Sequence, residues 1–470
     1  MVGVRAAWKR HLSLFAGICP LAAACASDAL PDTAPTAVSA TMNPSVATAV
    51  TITWTTATPT KGYVSYGTTT ALSASVPFET TAATAHSRTL FLAPNTTYYY
   101  RVVTWDAPNA TAGASDVLSF RTAALPAGFP QFTVQNIPVK DMGGVSEEPM
   151  QDFVVIPFVG QKTTLVLVDP AGTPVWYRVE ERDRRVTRAR LSSDKKAVLY
   201  SAAGKDAATA PESEVVRAPL DGSATTSVRI PNLGADFAVD TAGTVAALVP
   251  EVRSVNGVNV TGDQIVEVTS DGMPRAVWST FDCFDPLTSP GDMADGLWTA
   301  ASALQVSSAA DAYFVALKNL STVVKVDRKT HACTWMVGAD PKATLHYAAG
   351  SAPFARPGSF SGDDTRLVVF DTTGNTSGAR FMDYTLDQTM LTATQVQTYP
   401  AAPSVKVTAF GEATTVIGND RLVNFGSGGK LELVDKVGQL KWSLQVTSGE
   451  SLAYHTAFRD LSAPKLEGNQ

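Results

Sequence analysis

Side chains able to do covalent or acid–base chemistry are few in this chain. Of 470 residues five are histidine: His11 in the N-terminal apolar region, then His86, His331, His346 and His455. Imidazole is the side chain best suited to act as nucleophile or general base at neutral pH. His331 falls in a hairpin turn signal and reads as exposed, His86 reads as a surface or strand residue, and His455 lies near the C-terminus. Four cysteines occur, Cys19 and Cys25 near the N-terminus and Cys283 and Cys333 as the only two in the body. Zinc is not supported, because His331 lies two residues from Cys333 without a second pair at ligand spacing. Asp363 and Asp364 offer neighbouring carboxylates to a metal, but capping a turn suits them better. There is no nucleophile elbow and no glycine-rich phosphate loop after a strand, and no cofactor is expected. A net charge of −6 and a pI near 5.5, with no basic stripe, argue against a nucleic-acid partner.

The compartment bears on the cysteines. Arg5, Lys9 and Arg10 precede an apolar run from Leu12 to Ala24 that ends in small residues. This is the order of a secretory signal, and the run is short for a bilayer span. Residues 1–26 therefore read as a signal segment and 27–37 as a flexible linker. Leu21-Ala22-Ala23-Ala24-Cys25 resembles a bacterial lipobox, with Ala22 where that motif prefers Leu, and Cys25 would then carry the lipid. Ordinary cleavage after Ala26 is the alternative. Either way the protein is exported, to the bacterial cell envelope as a lipoprotein or to the periplasm or medium, and touches a membrane only through a lipid anchor. In an oxidising compartment Cys283 and Cys333 are expected to pair. The bond would close a 50-residue loop, worth about 4 kcal/mol on the chain-entropy view. Two buried thiols are the other reading.

What must position these residues is a repeat. Charged residues make up only 17% of the chain and hydrophobic ones 45%, a balance that with abundant Thr, Ser and Val favours strands. Four segments share apolar alternation, a turn and a Trp: Thr164 to Trp176, Gln264 to Trp278, Thr322 to Trp335 and Lys430 to Trp442. Weaker copies start at Glu214 and Ala379, and each copy follows another strand signal, at residues 153, 197, 244, 312, 366 and 421. One such unit cannot bury both faces of its sheet, whereas six around an axis can. The reading is a six-bladed β-propeller over 131–460, with the segment Phe129 to Lys140 lending a strand to the last blade.

Ahead of the repeat, residues 38–124 carry short strand signals around Trp54 and Tyr98-Tyr99-Tyr100. The stretch Leu92-Ala93-Pro94 to Tyr98 resembles the corner of fibronectin type III domains, which implies a β-sandwich with Trp54 in its core and Tyr98 tying down the turn. No chemistry is assigned to it. The fold class is thus all-β, a sandwich followed by a propeller.

Within the repeat, Trp298-Thr299, the run Leu317 to Val323 leading to Val326-Asp327-Arg328, Trp335, Val369-Phe370-Asp371, Arg380 and Tyr384 to Asp387 resemble the bacterial arylsulfotransferases. That resemblance implies a six-bladed propeller that moves a sulfuryl group between phenols through a histidine that becomes sulfated. The departures fall on the chemistry. Ala235, before Asp236, stands where the family has His; Ala300 and Ser302 stand where it has His and Asn; Lys318 replaces an Arg; and between Phe354 and Phe370, where the family has a Gln-His, there is Arg356 and no histidine. Alanine has neither lone pair nor proton to offer, and each positioned acid or base contributes about 10²–10⁴-fold. The expected function is a catalytically degenerate propeller that binds a small anionic or phenolic ligand or serves as a surface module. Lys318, Arg356 and Arg380, with Arg188 and Arg190, would form a cationic throat. The alternative is an active transferase using His346, read as preceding a funnel strand, as displaced nucleophile. The sequence carries no signal for oligomeric state.

Overall fold

The computed structural model of the chain describes residues 33–106, 113–140, 146–147, 150–269, 271–293, 296–309, 311–372, 378–400, 404–416 and 419–458. The expected signal segment and Cys25 lie outside the described residues. Among the described residues there is no α-helix, only strands and short 3-10 turns, and no helix is long and apolar enough to cross a membrane.

Six sheets surround one axis. The second, third, fourth and fifth blades begin at the inner strands Ala189–Leu191, Phe237–Val239, Ala301–Ser307 and Pro357–Gly362, and the sixth at Gly411–Thr415; each continues outward through three antiparallel neighbours. The first blade, Phe153–Val159, Thr163–Val168 and Pro174–Glu180, takes its inner strand from the other end of the chain, as Ser451–Leu452 and Thr456–Phe458. Ring closure thus joins residues about 300 positions apart without leaving a free inner edge. Phe132–Asn136 adds a fifth strand outside Leu440–Val446 of the last blade, so the expected loan of an N-terminal strand is observed.

The repeat has a local cause. In every blade the turn into the outermost strand opens on an aspartate: Asp169, Asp221, Asp271, Asp327, Asp387 and Asp435. Each carboxylate accepts a backbone N–H two to four residues on, for instance Ser223 N–H at 2.9 Å and Val437 N–H at 2.9 Å. This is the Asx turn that these residues favour. Trp176, Trp278, Trp335 and Trp442 follow on the outer strands of four blades and are buried, so turn and anchor recur together.

Residues Thr36–Arg121 form a separate β module. Its long strand Ala49–Gly67 bends between Thr55 and Thr60; the first part pairs Thr36–Met42 and Ala83–Phe91, the second pairs Thr97–Trp105. Val50, Ile52, Trp54, Leu90, Tyr100 and Val102 are buried together, and the Tyr98 hydroxyl accepts the Ala93 N–H at 3.1 Å. His86 is on a strand but not at the surface: it stacks on Trp54 with ring centroids 4.8 Å apart, and its Nδ1 lies 2.8 Å from Glu79. One end of the module packs on the first blade. Thr48 Oγ1 donates to the Val175 carbonyl at 2.7 Å, and Val46 and Ala49 join Val175 and Tyr177 in one apolar cluster.

Cys283 and Cys333 form a disulfide with Cα atoms 6.2 Å apart. Cys283 follows the outer strand Pro274–Ser279 of the third blade and Cys333 opens the outer strand Cys333–Gly338 of the fourth, so the bond clips the rims of adjacent blades. Intact mass of alkylated protein is expected to show no modified body cysteine until a reductant is added. The double variant Cys283→Ser/Cys333→Ser is expected to lose up to about 4 kcal/mol of stability. Two alkylated body thiols in the unreduced protein would contradict the bond.

Candidate functional site

Inner strands of a propeller converge, so their first residues face one another across the axis. Here three of them, Arg188, Asp236 and Glu412, are charged. Arg188, just before the second blade's inner strand, donates through Nε and Nη2 to Asp236 of the third blade at 2.9 and 3.0 Å, and through Nη1 to Glu412 of the sixth. Glu412 Oε2 accepts the His455 backbone N–H at 2.9 Å. It also lies 3.1 Å from His455 Nδ1, a close contact too poorly aligned to be a hydrogen bond. Asp236 accepts the Leu304 N–H of the fourth blade at 2.9 Å. Tyr454, whose ring lies 4.4 Å beneath the Arg188 guanidinium, donates its hydroxyl to the Gly358 carbonyl of the fifth blade at 2.8 Å. One buried network therefore touches all six inner strands.

The charges in this network hold each other in place. Burial works against an ionised Glu412, but Arg188 and then His455 outweigh it and bring its carboxyl down to about 2. Burial likewise opposes the charge on Arg188, and Asp236 and Glu412 together raise its pKa above the ordinary arginine value.

The plug separates two cavities. One, of about 540 Å³, lies over the starts of the inner strands and is lined by Thr187, Ala235, Ala300, Ser302, Lys318 and Phe410, among others. The other, of about 250 Å³, lies at the opposite ends, where Arg190, Asp240 and Gln305 face it. Ala235, Ala300, Ser302 and Lys318, far apart in sequence, are thus brought to one cavity. Ser302 Oγ donates to the Pro357 carbonyl at 2.7 Å, and Asp263, also in the lining, accepts from Thr299 Oγ1 at 2.6 Å and Ala301 N–H at 2.7 Å. Three lining residues other than glycine, Asn232, Ala300 and Phe410, have φ of 61°, 46° and 62°. For a bulky residue such as Phe410 this left-handed backbone is strained, and such strain concentrates at functional sites.

Other expected site residues lie elsewhere. Asp236 adjoins Ala235 but turns its carboxylate into the axial plug. Arg188 is consumed in that plug, and Arg190 donates to the Phe237 carbonyl at 2.7 Å on the opposite cavity. Arg356 pairs with Asp292, and Arg380 with Asp371 at 2.9 Å. The shared cationic throat is not formed, because each arginine is taken by a carboxylate: Arg188, Arg190 and Arg356 by one from another blade or loop, and Arg380 by Asp371, its cross-strand partner. His346 does not precede an inner strand. It sits exposed on His346–Tyr347, a short strand at the outer edge of the fifth blade. His331 is exposed in its turn, and Asp363 caps the N–H groups of Thr365 and Arg366 at 2.7 and 3.0 Å. The histidine that sequence reasoning passed over is His455. Its signal was alignment with Arg188, Asp236 and Glu412 as the ionisable residue at the start of an inner strand.

Because the Glu412 carboxyl is held below its ordinary value of 4.5, its contribution to stability is present above pH 4.5 and is lost as pH falls toward 2. Glu412→Gln is expected to cost about 1–3 kcal/mol at neutral pH by removing one of the two carboxylates that compensate Arg188, Asp236 remaining bonded. It is also expected to flatten the acid limb of the stability curve between those pH values. Urea melts of both proteins across pH check this; a variant curve parallel to wild type would contradict it.

No curated protein matches the chain in sequence. Among solved structures, it is similar at 12% identity to a chain of a nidogen/laminin complex (TM-score 0.42, covering 65% of this chain and 98% of that one). It is similar, also at 12% identity, to a Bacteroides caccae protein of unknown function (TM-score 0.40, 66% and 100%) and to a streptogramin B lyase (TM-score 0.36, 67% and 88%). Residues 145–349, which take in the main strands of the first four blades from Phe153 to Gly338, match the model of the arylsulfotransferase (ASST) family.

Proposed function

We propose that the propeller is an arylsulfotransferase-like binding protein that has lost sulfuryl transfer, and that its 540 Å³ cavity holds a small anionic or aromatic ligand. The observation that carries this reading is the lining itself. Ala235, Ala300 and Ser302, which by the resemblance stand in place of the family's imidazoles and amide, all line the cavity, and none of the described lining residues is a histidine. Transfer needs a ring nitrogen to accept the group and a second group to move the proton of the incoming phenol. Lys318 retains a positive charge, though a lysine ammonium lacks the planar fork with which arginine grips an oxyanion from two sides. Phe410, Leu297 and Pro250 add apolar surface for a ring. His346, at the outer edge of its blade, does not replace the lost imidazole.

Export is part of the proposal. It is supported by the charged, apolar and small-residue order of residues 1–26 and by the Cys283–Cys333 bond, which suits an oxidising compartment. Residues 38–124 are read as a fibronectin type III-like spacer, supported by the two-sheet strand Ala49–Gly67 and the Tyr98 corner contact.

The test uses 4-nitrophenyl sulfate as donor and a phenol as acceptor. Wild type is expected to bind the donor saturably without product forming, and Lys318→Met to weaken binding by roughly tenfold or more, as removal of a charged hydrogen-bond partner does. Wild-type turnover abolished in His346→Ala would restore the displaced-nucleophile reading. Turnover that survives that substitution would place the chemistry on other residues and end the degenerate one.

A further inference from the structure

The N-terminal module has two unlike ends. One is sealed against the first blade by Val46, Thr48 and Ala49. The strand Thr97–Trp105 runs away from that end, and its nine residues span about 26 Å. At the far end, Trp105 is paired with Lys61, and Tyr63 and Phe78 gather around it. Phe78 sits edge-on to Tyr63 at 4.8 Å and to Trp105 at 5.4 Å, and the Tyr63 and Trp105 centroids are 5.9 Å apart. This cluster is unusual for the molecule. Phe78, 60% exposed, is the one aromatic among the large exposed apolar side chains of the described residues. Trp105 is the one described tryptophan that is not buried.

The chain enters the module at this same end. Thr33 is buried there, its carbonyl accepting the hydroxyl of Thr104, the residue before Trp105. Only seven residues, 26–32, lie between Thr33 and Cys25. Fully extended, that stretch reaches no more than about 29 Å. A lipid on Cys25 would therefore keep this end of the module within about 29 Å of the bilayer.

We infer that the Tyr63–Phe78–Trp105 tip docks on the surface of a phospholipid bilayer. Trp and Tyr favour the headgroup level, where an apolar ring body and a polar edge are both accommodated. Phe78 supplies the apolar contact that enters the acyl boundary. Lys61, beside Trp105, suits an anionic leaflet. The tip is a contact independent of any lipid on Cys25, at the end of the module opposite the one sealed on the first blade.

The inference does not require that Cys25 be acylated, and the test separates the two. The chain from residue 27 on, without the apolar run, Trp8 or Cys25, is mixed with phosphatidylcholine–phosphatidylglycerol vesicles with and without brominated acyl chains, and tryptophan emission is read. The bromolipid is expected to quench a component that is absent from Trp105→Phe. Phe78→Ser is expected to weaken vesicle binding roughly tenfold with an unchanged thermal midpoint, since Phe78 lies outside the core. Equal quenching in the parent and Trp105→Phe, or equal vesicle affinity for Phe78→Ser, would overturn the inference. Emission insensitive to bromolipid but shifted by a soluble polysaccharide would assign the tip to carbohydrate instead.

Discussion

Six sheets can close into a ring only if their inner strands tolerate one another at the axis, and here they meet through ions. Arg188 lies between Asp236 and Glu412, and His455 and Tyr454 complete the set from the far end of the chain. Charges taken out of water are costly, and a buried pair is favourable only when geometry is good and the remaining polar atoms find partners. The network meets that condition with backbone groups of neighbouring blades, the Leu304 N–H and the Gly358 carbonyl among them. Removing one member strands its partner, so blade order and ring closure are tied to the same few side chains.

The plug also shapes function. It lies between two cavities on the axis that share no lining residue, one over the starts of the inner strands and one at their opposite ends. The larger one is walled on one side by the third blade. Its strands Val245–Val255 and Val258–Val268 outrun their neighbours, and Pro250, Thr261 and Asp263 of this ribbon line the cavity beside Leu297. The chain before Leu297 is tied to the adjacent blades by the Cys283–Cys333 bond and by the Asp292–Arg356 pair. Arg356, expected to hold a ligand, instead holds the rim.

What could be read in the sequence was whatever repeats. The aspartate turn and the tryptophan recur because each outer hairpin solves the same local problem, and the blade count follows from them. The inner strands of the second, third and fourth blades were placed from residues 187–190, 235–240 and 298–304 by the family resemblance rather than by the repeat. Ala189–Leu191 and Phe237–Val239 are three residues long and carry no period, and the first blade's inner strand lies 300 residues from its neighbours, which hid His455. Ala235, Ala300, Ser302 and Lys318 were legible as a set because a family resemblance aligned them, and they share one cavity. Arg356 was misplaced because Asp292, the carboxylate that claims it, is a neighbour only after folding, whereas Arg380 is claimed by Asp371 directly across its own hairpin.

The central claim is that this cavity retains a place for a ligand but no group to take a sulfuryl from it. A sulfuryl-transfer propeller must pass through a sulfated side chain, and that intermediate has a mass. The purified chain is incubated with excess 4-nitrophenyl sulfate without acceptor, quenched, and measured intact and after proteolysis. The account predicts the unmodified mass at every time. A chain heavier by one sulfuryl group, mapped to a histidine, would contradict it.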